Sequence, residues 1–342
     1  MKTLVFSTKP STRETFGEAN VRYNNDLHYT EARLAEETAA LAKGYPAVCI
    51  FVNDVANRAV LDILKECGVK LIALRAAGFN NVDIDYAHKL GMCVVRVPAY
   101  SPHGVAEHAV ALIMTLNRKI HRAHNRVREG NFSLEGLMGF DMYGKTVGVI
   151  GTGKIGAIAA KILHGFGCDI LVSDPFENAE VKQFATYVPI DELLKRCDIV
   201  TLHCPLTPES HHMINLTSLM TMKKGAMLIN TSRGGLVDAK ACIAALKTGQ
   251  LGSLGLDVYE EEADLFFEDL SGQVLQDDQF ARLLTFPNVL ITAHQAFFTK
   301  TAMDNIADTT MSNIAAFDKD GACQNAINPE AVKGKSVRVQ KR

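Results

Sequence analysis

Residues 289–299, VLITAHQAFFT, run an apolar stretch straight into a histidine and then two phenylalanines. An imidazole can give or take a proton near neutral pH, so its place at the mouth of an apolar run asks for a reaction that moves one there. Other groups could join it. His203 stands in LHCPLTPES, Arg233 in INTSRGGLVD, and Asp257 and Glu262 in GLDVYEEE. Each follows an apolar run of β type, and open parallel sheets bind ligands outside the carboxyl ends of their strands. One reaction fits the set, hydride transfer to a carbonyl. As the hydride arrives, the carbonyl oxygen gains charge and takes a proton, which His294 would supply. A carboxylate beside the ring favours imidazolium, and Glu262 is the candidate. A planar guanidinium can grip a substrate carboxylate with two parallel hydrogen bonds, and Arg233 is the candidate. Phe297 and Phe298 would wall the substrate side chain and exclude water.

Each residue also has a plainer reading. Arg233 could pair with a surface acid. Glu262 lies in EEEADLFFED, which by composition is a solvated acidic face. His203 could simply order a loop, and His294 could be a half-buried ring with ordinary partners. Asp257 closes an apolar strand, where a carboxylate needs partners of its own.

Hydride chemistry needs a cofactor, and residues 146–174 read as its cradle. An apolar strand runs into Gly151-x-Gly153-x-x-Gly156, a helical pattern follows at once, and a second strand, DILVS, ends at Asp174. Gly151 permits the tight turn, Gly153 lets a pyrophosphate approach the backbone, and Gly156 lets helix and strand pack closely. Thr152, Lys154 and Ile155 complete the loop and open the helix, whose free N–H groups attract an anion. Asp174 can accept from both ribose hydroxyls and would repel a 2'-phosphate, which favours NAD over NADP. A flavin would use a similar cradle, but usually near the N-terminus. The later strand ends, with His203, Cys204, Pro205, Thr231, Ser232, Asp257 and His294, are expected to line the same cofactor.

The elements that must position these groups alternate along the whole chain. Short β-type runs such as AVCIFV, KLIAL, DIVTLHC and AMLIN are apolar on both faces and are separated by helical patterns. That alternation predicts parallel sheets covered by helices, an α/β protein with two doubly wound domains. The 342 residues exceed what one ordinary core supports. SPHGVAEHAVALIMTLNRKIHRAHNRVREG reads as a single long helix, and VLIT as a buried strand. Hydrophobic residues make up 47% and charged residues 22%, as in a soluble globular protein. A formal net charge of -2 gives no bulk attraction for nucleic acid. AVALIMTL, 109–116, is far too short to span a membrane, and the N-terminus reads as a first strand and not a signal peptide. The eight cysteines form no close pairs and read as core thiols of a cytoplasmic protein, with no metal site expected.

Taken in order, RAAGFNNVD (75–83), VRVPAYSP (95–102), VGVIGTGKIG (147–156) and the four strand-end segments above resemble the D-isomer-specific 2-hydroxyacid dehydrogenase family. Within it they are most like the fermentative D-lactate branch. The resemblance covers about residues 1–330. It implies reversible NADH-dependent reduction of pyruvate to D-lactate. It puts the catalytic roles on Arg233, Glu262 and His294, and Asp257 near the nicotinamide carboxamide. It gives the Ala77 and Gly78 amides to the substrate carboxylate and Tyr100 to the substrate wall. It also implies a flavodoxin-like substrate domain, 1–100 plus 299–330, split around an NAD-binding Rossmann domain, 101–298, with a basic tail at 331–342. A homo-oligomer, dimer or tetramer, would join through the cofactor domains, using the helix after Pro102 and the arm NFSLEGLMGFDMYGK. Many family members follow the catalytic histidine with small residues, as in HIGSAT, whereas HQAFFT is bulky and suits a small substrate. A dehydrogenase for larger 2-oxo acids, of the D-2-hydroxyisocaproate type, is the alternative within the family. A non-enzymatic NAD-binding corepressor is the alternative outside catalysis.

Overall fold

A computed structural model describes residues 1–262 and 265–329, and the basic tail lies outside them. The described residues form two compact units, one from Met1–Ser101 with the described chain after Phe297, the other within Pro102–Phe297.

The first unit carries strands β1 (Lys2–Val5), β2 (Asp26–Tyr29), β3 (Ala47–Ile50), β4 (Leu71–Leu74) and β5 (Cys93–Val95), in the spatial order β2-β1-β3-β4-β5. All its strand pairs are parallel. This is the flavodoxin-like doubly wound order. The central strands AVCI and LIAL are buried at every residue because both faces are covered. The side chains alternate between two cores. Val48, Ile50, Ile72 and Leu74 face α2 (Arg58–Glu66) and α3 (Ile84–Lys89), while Ala47, Cys49, Leu71 and Ala73 join Phe16 of α1 (Pro10–Asn20). α11 (Lys300–Asp320) returns to this unit from the far end of the chain and seals the second face with Ala307, Met311 and Ile314. Thr299 caps it by accepting from the Ala302 amide at 3.2 Å.

The second unit opens with α4 (Pro102–Arg118) and α5 (Ile120–Arg128). The sequence reads one helix here, but Lys119 adopts φ +51 and divides it. Beside the break, Asn117 exchanges two hydrogen bonds of 2.8 Å with the backbone of Phe140, which docks the following arm on the end of α4. No Gly or Pro marks this corner, so the local pattern could not show it. The sheet contains β6 (Thr146–Ile150), β7 (Asp169–Ser173), β8 (Ala185–Tyr187), β9 (Ile199–Leu202), β10 (Ala226–Asn230), β11 (Leu251–Leu256) and β12 (Val289–Ile291). Their order is β12-β11-β10-β9-β6-β7-β8, again with parallel pairs throughout. Winding reverses between β6 and β9, the switch point where doubly wound sheets bind ligands. One face is covered by α4 and α6 (Lys154–Gly165), the other by α7 (Ile190–Arg196), α8 (Leu216–Thr221) and α9 (Ala239–Thr248). α10 (Asp278–Leu284) leads into β12. β12 is the sheet edge, so its three residues are half-buried and not enclosed as VLIT suggests.

Among the described residues, no helix is long and apolar enough to cross a membrane, and all eight cysteines are free thiols.

Candidate active site

The glycine loop is built at the switch point. Gly151 takes φ +93 directly after β6, and a Cβ on Gly156 would fall 1.9 Å from the Gly151 carbonyl oxygen. Packing alone therefore demands glycine at 156. Gly153 differs: a Cβ there would meet no protein atom within 4 Å. It is the N-cap of α6 and brings no side-chain cap, so among the described residues the first-turn N–H groups at Lys154 and Ile155 have no capping side chain. Asp174 follows β7 and braces the loop. Its Oδ2 accepts from the Thr152 amide at 2.6 Å and its Oδ1 from the Phe176 amide at 2.8 Å.

The next strand ends continue the edge. The His203 amide donates to the Ile150 carbonyl at 2.7 Å, and its Nε2 lies 3.0 Å from Thr201 Oγ1. Burial pushes this imidazole down to about 4, so it is neutral at pH 7. Through these contacts His203 ties its loop to the end of β6. The Cys204 carbonyl accepts from Ser232 Oγ at 2.7 Å, and burial pushes its thiol up to about 11, away from nucleophilic use. The Pro205 carbonyl accepts from Ser210 Oγ at 2.9 Å. Thr231 Oγ1 is buried with no hydrogen-bond partner among the described residues. An uncapped helix N-terminus, a small residue at its entry, a strand-end carboxylate and an orphaned hydroxyl together fit a dinucleotide.

Arg233 follows β10. Its carbonyl accepts from Asn230 Nδ2 at 2.8 Å, which shapes the turn, and its Nη1 donates to the Ser232 carbonyl at 2.6 Å. A Cβ on Gly234 would lie 2.1 Å from the Tyr259 backbone, so glycine at 234 lets the arginine turn pack directly on the loop after β11.

That loop holds Asp257 and Glu262. Asp257 is only 1% exposed. Its Oδ1 accepts from Thr292 Oγ1 at 2.7 Å and from the Gln295 amide at 2.8 Å, and its Oδ2 from the Ala296 amide at 2.9 Å. His108 of α4 adds an Nε2 contact, 3.4 Å from Asp257 Oδ1 and 3.0 Å from Thr292 Oγ1. Burial pushes the carboxyl up, but the bonds from His108, Thr292 and the Ala296 amide outweigh it and hold the group below the usual carboxylate range. Through these bonds the Asp257 carboxylate holds the loop that carries His294.

This clasp has a conformational task. Ala293 and His294 take φ +48 and +56, a left-handed pair without glycine. Such residues cost on the order of 1–3 kcal/mol each and persist only where their surroundings over-determine them. The Asp257 carboxylate and its carbonyl, which accepts from the His294 amide at 2.5 Å, supply that constraint. The ring then meets Glu262: His294 Nδ1 lies 2.7 Å from Oε1, while Oε2 accepts from the Tyr259 amide at 3.0 Å. With Nδ1 committed, Nε2 is the nitrogen able to exchange a proton. Glu262 is thus half-buried and paired, not part of a solvated face.

Apolar rings flank the histidine. Phe297 lies 6.4 Å and Phe267 5.8 Å from it, centroid to centroid. Phe267 and His108 were not foreseen. Phe267 hides in the acidic run DLFFED, whose neighbour Phe266 packs in the core, and nothing in its spacing marks it. His108 sits inside a helical pattern without a signal. Phe298, paired with Phe297 in the sequence reading, belongs to the other unit and is 56% exposed.

The remaining expected residues lie in the first unit. Ala77 and Gly78 occupy the turn after β4. Ala77's carbonyl accepts from Arg96 Nη1 at 2.8 Å, and among the described residues neither N–H donates to a main-chain carbonyl. Tyr100 is half-buried, with its carbonyl accepting from Asn305 Nδ2 at 2.6 Å.

Comparison with known proteins places this geometry. Residues 110–296 match the family described as D-isomer specific 2-hydroxyacid dehydrogenase, NAD binding domain. A 2-hydroxyacid dehydrogenase homolog of Haemophilus influenzae is 54% identical over 330 residues, 96% of this chain and 100% of that protein. The D-lactate dehydrogenase of Escherichia coli is 52% identical over 328 residues, again 96% of this chain and 100% of that one. A solved structure described as the pyruvate reductase of Chlamydomonas reinhardtii superposes with a TM-score of 0.89 at 47% identity, covering 94% of this chain and 98% of that one. The chain therefore belongs to the D-isomer specific 2-hydroxyacid dehydrogenases and is an NAD-dependent oxidoreductase of that family.

Proposed function

We propose that the protein catalyses the reversible reduction of pyruvate to D-lactate with NADH. The observation that carries the chemistry is the pairing of His294 Nδ1 with Glu262 at 2.7 Å, on a loop held in a left-handed conformation. Gly153, the first turn of α6, Asp174 and Thr231 would hold the cofactor, which supplies the hydride when bound. Arg233 holds the substrate carboxylate and lends charge to the carbonyl oxygen; the Ala77 and Gly78 N–H groups and Tyr100 are further substrate contacts. In the reduction, His294 as imidazolium delivers the Nε2 proton to that oxygen while Nδ1–H stays with Glu262. In the reverse direction, neutral Nε2 accepts the hydroxyl proton.

The choice of pyruvate is supported by the two rings beside His294, which favour a small side chain, and by the names of the relatives. A homo-oligomer is supported by the exposed apolar residues Phe132, Leu134, Met138 and Tyr143 on one arm of the second unit. Light scattering checks that assembly.

The deciding experiment is a panel of pyruvate, 2-oxobutyrate, 2-oxoisocaproate and phenylpyruvate with NADH, followed by chiral analysis of the product. Pyruvate is expected to give the highest kcat/KM and D-lactate the product. A higher kcat/KM with 2-oxoisocaproate would assign the enzyme to larger substrates. An absence of turnover with all four would favour a binding role.

A further inference from the structure

His211 and His212 lie in the loop between β9 and α8, and Glu260 lies in the loop after β11. Adjacent residues of an extended chain send their side chains to opposite faces. Here His212 has φ +48, and the two imidazoles turn to one side, stacked 3.9 Å apart between centroids at 22°. Both reach the same carboxylate. His211 Nε2 is 3.0 Å from Oε1 of Glu260, and His212 Nε2 is 2.7 Å from Oε2. One ligand atom from each residue lies within 4.8 Å of the others, and the side chains are 49%, 35% and 35% exposed.

We propose that His211, His212 and Glu260 form a binding site for one divalent transition-metal ion of the zinc type. The ion ties the loop that carries His203, Cys204 and Pro205 to the loop that carries Glu262. Two imidazoles and one carboxylate are a donor set that zinc, nickel or copper accepts. Magnesium and calcium, which take oxygen ligands, are disfavoured. The geometry needs little adjustment, because ligand atoms on a tetrahedral zinc stand about 3.3 Å apart. Each Nε2 faces an oxygen of the Glu260 carboxylate, which only accepts, so the proton of the neutral ring sits on Nε2. On binding, each ring releases that proton to water, takes one from water on Nδ1 and gives its Nε2 lone pair to the ion, a tautomer shift that needs no redox partner. Neither the sequence spacing nor the reading of the cysteines pointed to this cluster. The inference does not depend on which 2-oxo acid is reduced.

The test is calorimetric titration of the chelator-treated full-length protein with zinc chloride, beside His211→Ala and Glu260→Gln. The unsubstituted protein is expected to bind one equivalent more than either variant. Its Tm should rise by about 4 °C or more at saturating zinc, since a ligand of the folded state stabilises it by mass action. Cobalt(II) should give visible d–d bands without a thiolate charge-transfer band, separating this site from Cys204 and the other thiols. Circular dichroism shows that the variants are folded, and His211→Gln replaces any that is not. Equal zinc stoichiometry in folded variants would overturn the proposal. So would a thiolate band on the extra equivalent, or the same Tm rise with magnesium.

Discussion

The Nδ1 atom of His294 lies 2.7 Å from Oε1 of Glu262, across 32 positions of sequence and between the loops that follow two neighbouring strands. His294→Ala should lower kcat for pyruvate reduction by roughly 10²–10⁴-fold, the range of a lost general acid. NADH binding, followed by fluorescence, should stay nearly unchanged because the glycine loop is built by other residues. Glu262→Gln keeps an acceptor but loses the charge, and should cost roughly tenfold in kcat/KM. An unchanged kcat/KM in this variant would show that the carboxylate does not assist the histidine.

Arg233→Lys keeps a positive charge and loses the planar fork. Transition-state binding should fall by about 2 kcal/mol or more, read from kcat/KM for pyruvate. A lysine enzyme as efficient as the parent would remove Arg233 from the carboxylate clamp.

NADH should be strongly preferred to NADPH, because a 2'-phosphate would meet the Asp174 carboxylate. Asp174 also accepts from the Thr152 amide, so the cleaner variant is Asp174→Asn, which can keep one such bond. The ratio of kcat/KM values for the two cofactors should narrow by about fivefold or more, equivalent to about 1 kcal/mol. Equal use of both cofactors by the parent enzyme would contradict the assignment.

Asp257 predicts a pH dependence of stability. Its carboxyl is held below the usual range in the folded chain. Its ionised form therefore contributes stability that is present above the ordinary carboxylate value and lost as pH falls through the depressed folded value. Asp257→Asn should cost about 1–3 kcal/mol at neutral pH, because buried donors lose an ionised acceptor. It should also flatten the fall in stability between about pH 5 and pH 2. Urea midpoints across that range provide the comparison, and parallel curves for parent and variant would argue against the clasp.

His203, pushed down to about 4, should remain neutral where an ordinary histidine titrates. Its ring resonances should stay constant from about pH 8 to about pH 5, while exposed histidines shift. A midpoint near the ordinary value would show that the loop does not desolvate the ring.

The sequence by itself determined the class of fold and the cofactor cradle. Residues 146–174 are contiguous as strand, turn, helix and strand, so the local pattern carries the whole unit. Alternating apolar runs announced the parallel sheets, and polar residues just beyond those runs marked Arg233, Asp257, Glu262 and His294 as strand-end groups. Only tertiary structure decided what those groups touch. Parallel neighbours are joined by long crossovers, so the clasp of His108, Thr292 and Asp257 spans up to 184 positions and leaves no periodic trace. The left-handed pair at Ala293 and His294 is dictated by that clasp and not by residue type. Phe267 beside the histidine, the helix break at Lys119 and the gathering of His211 and His212 on Glu260 share this origin. Each is set by what lies across the fold, where local propensity has no information.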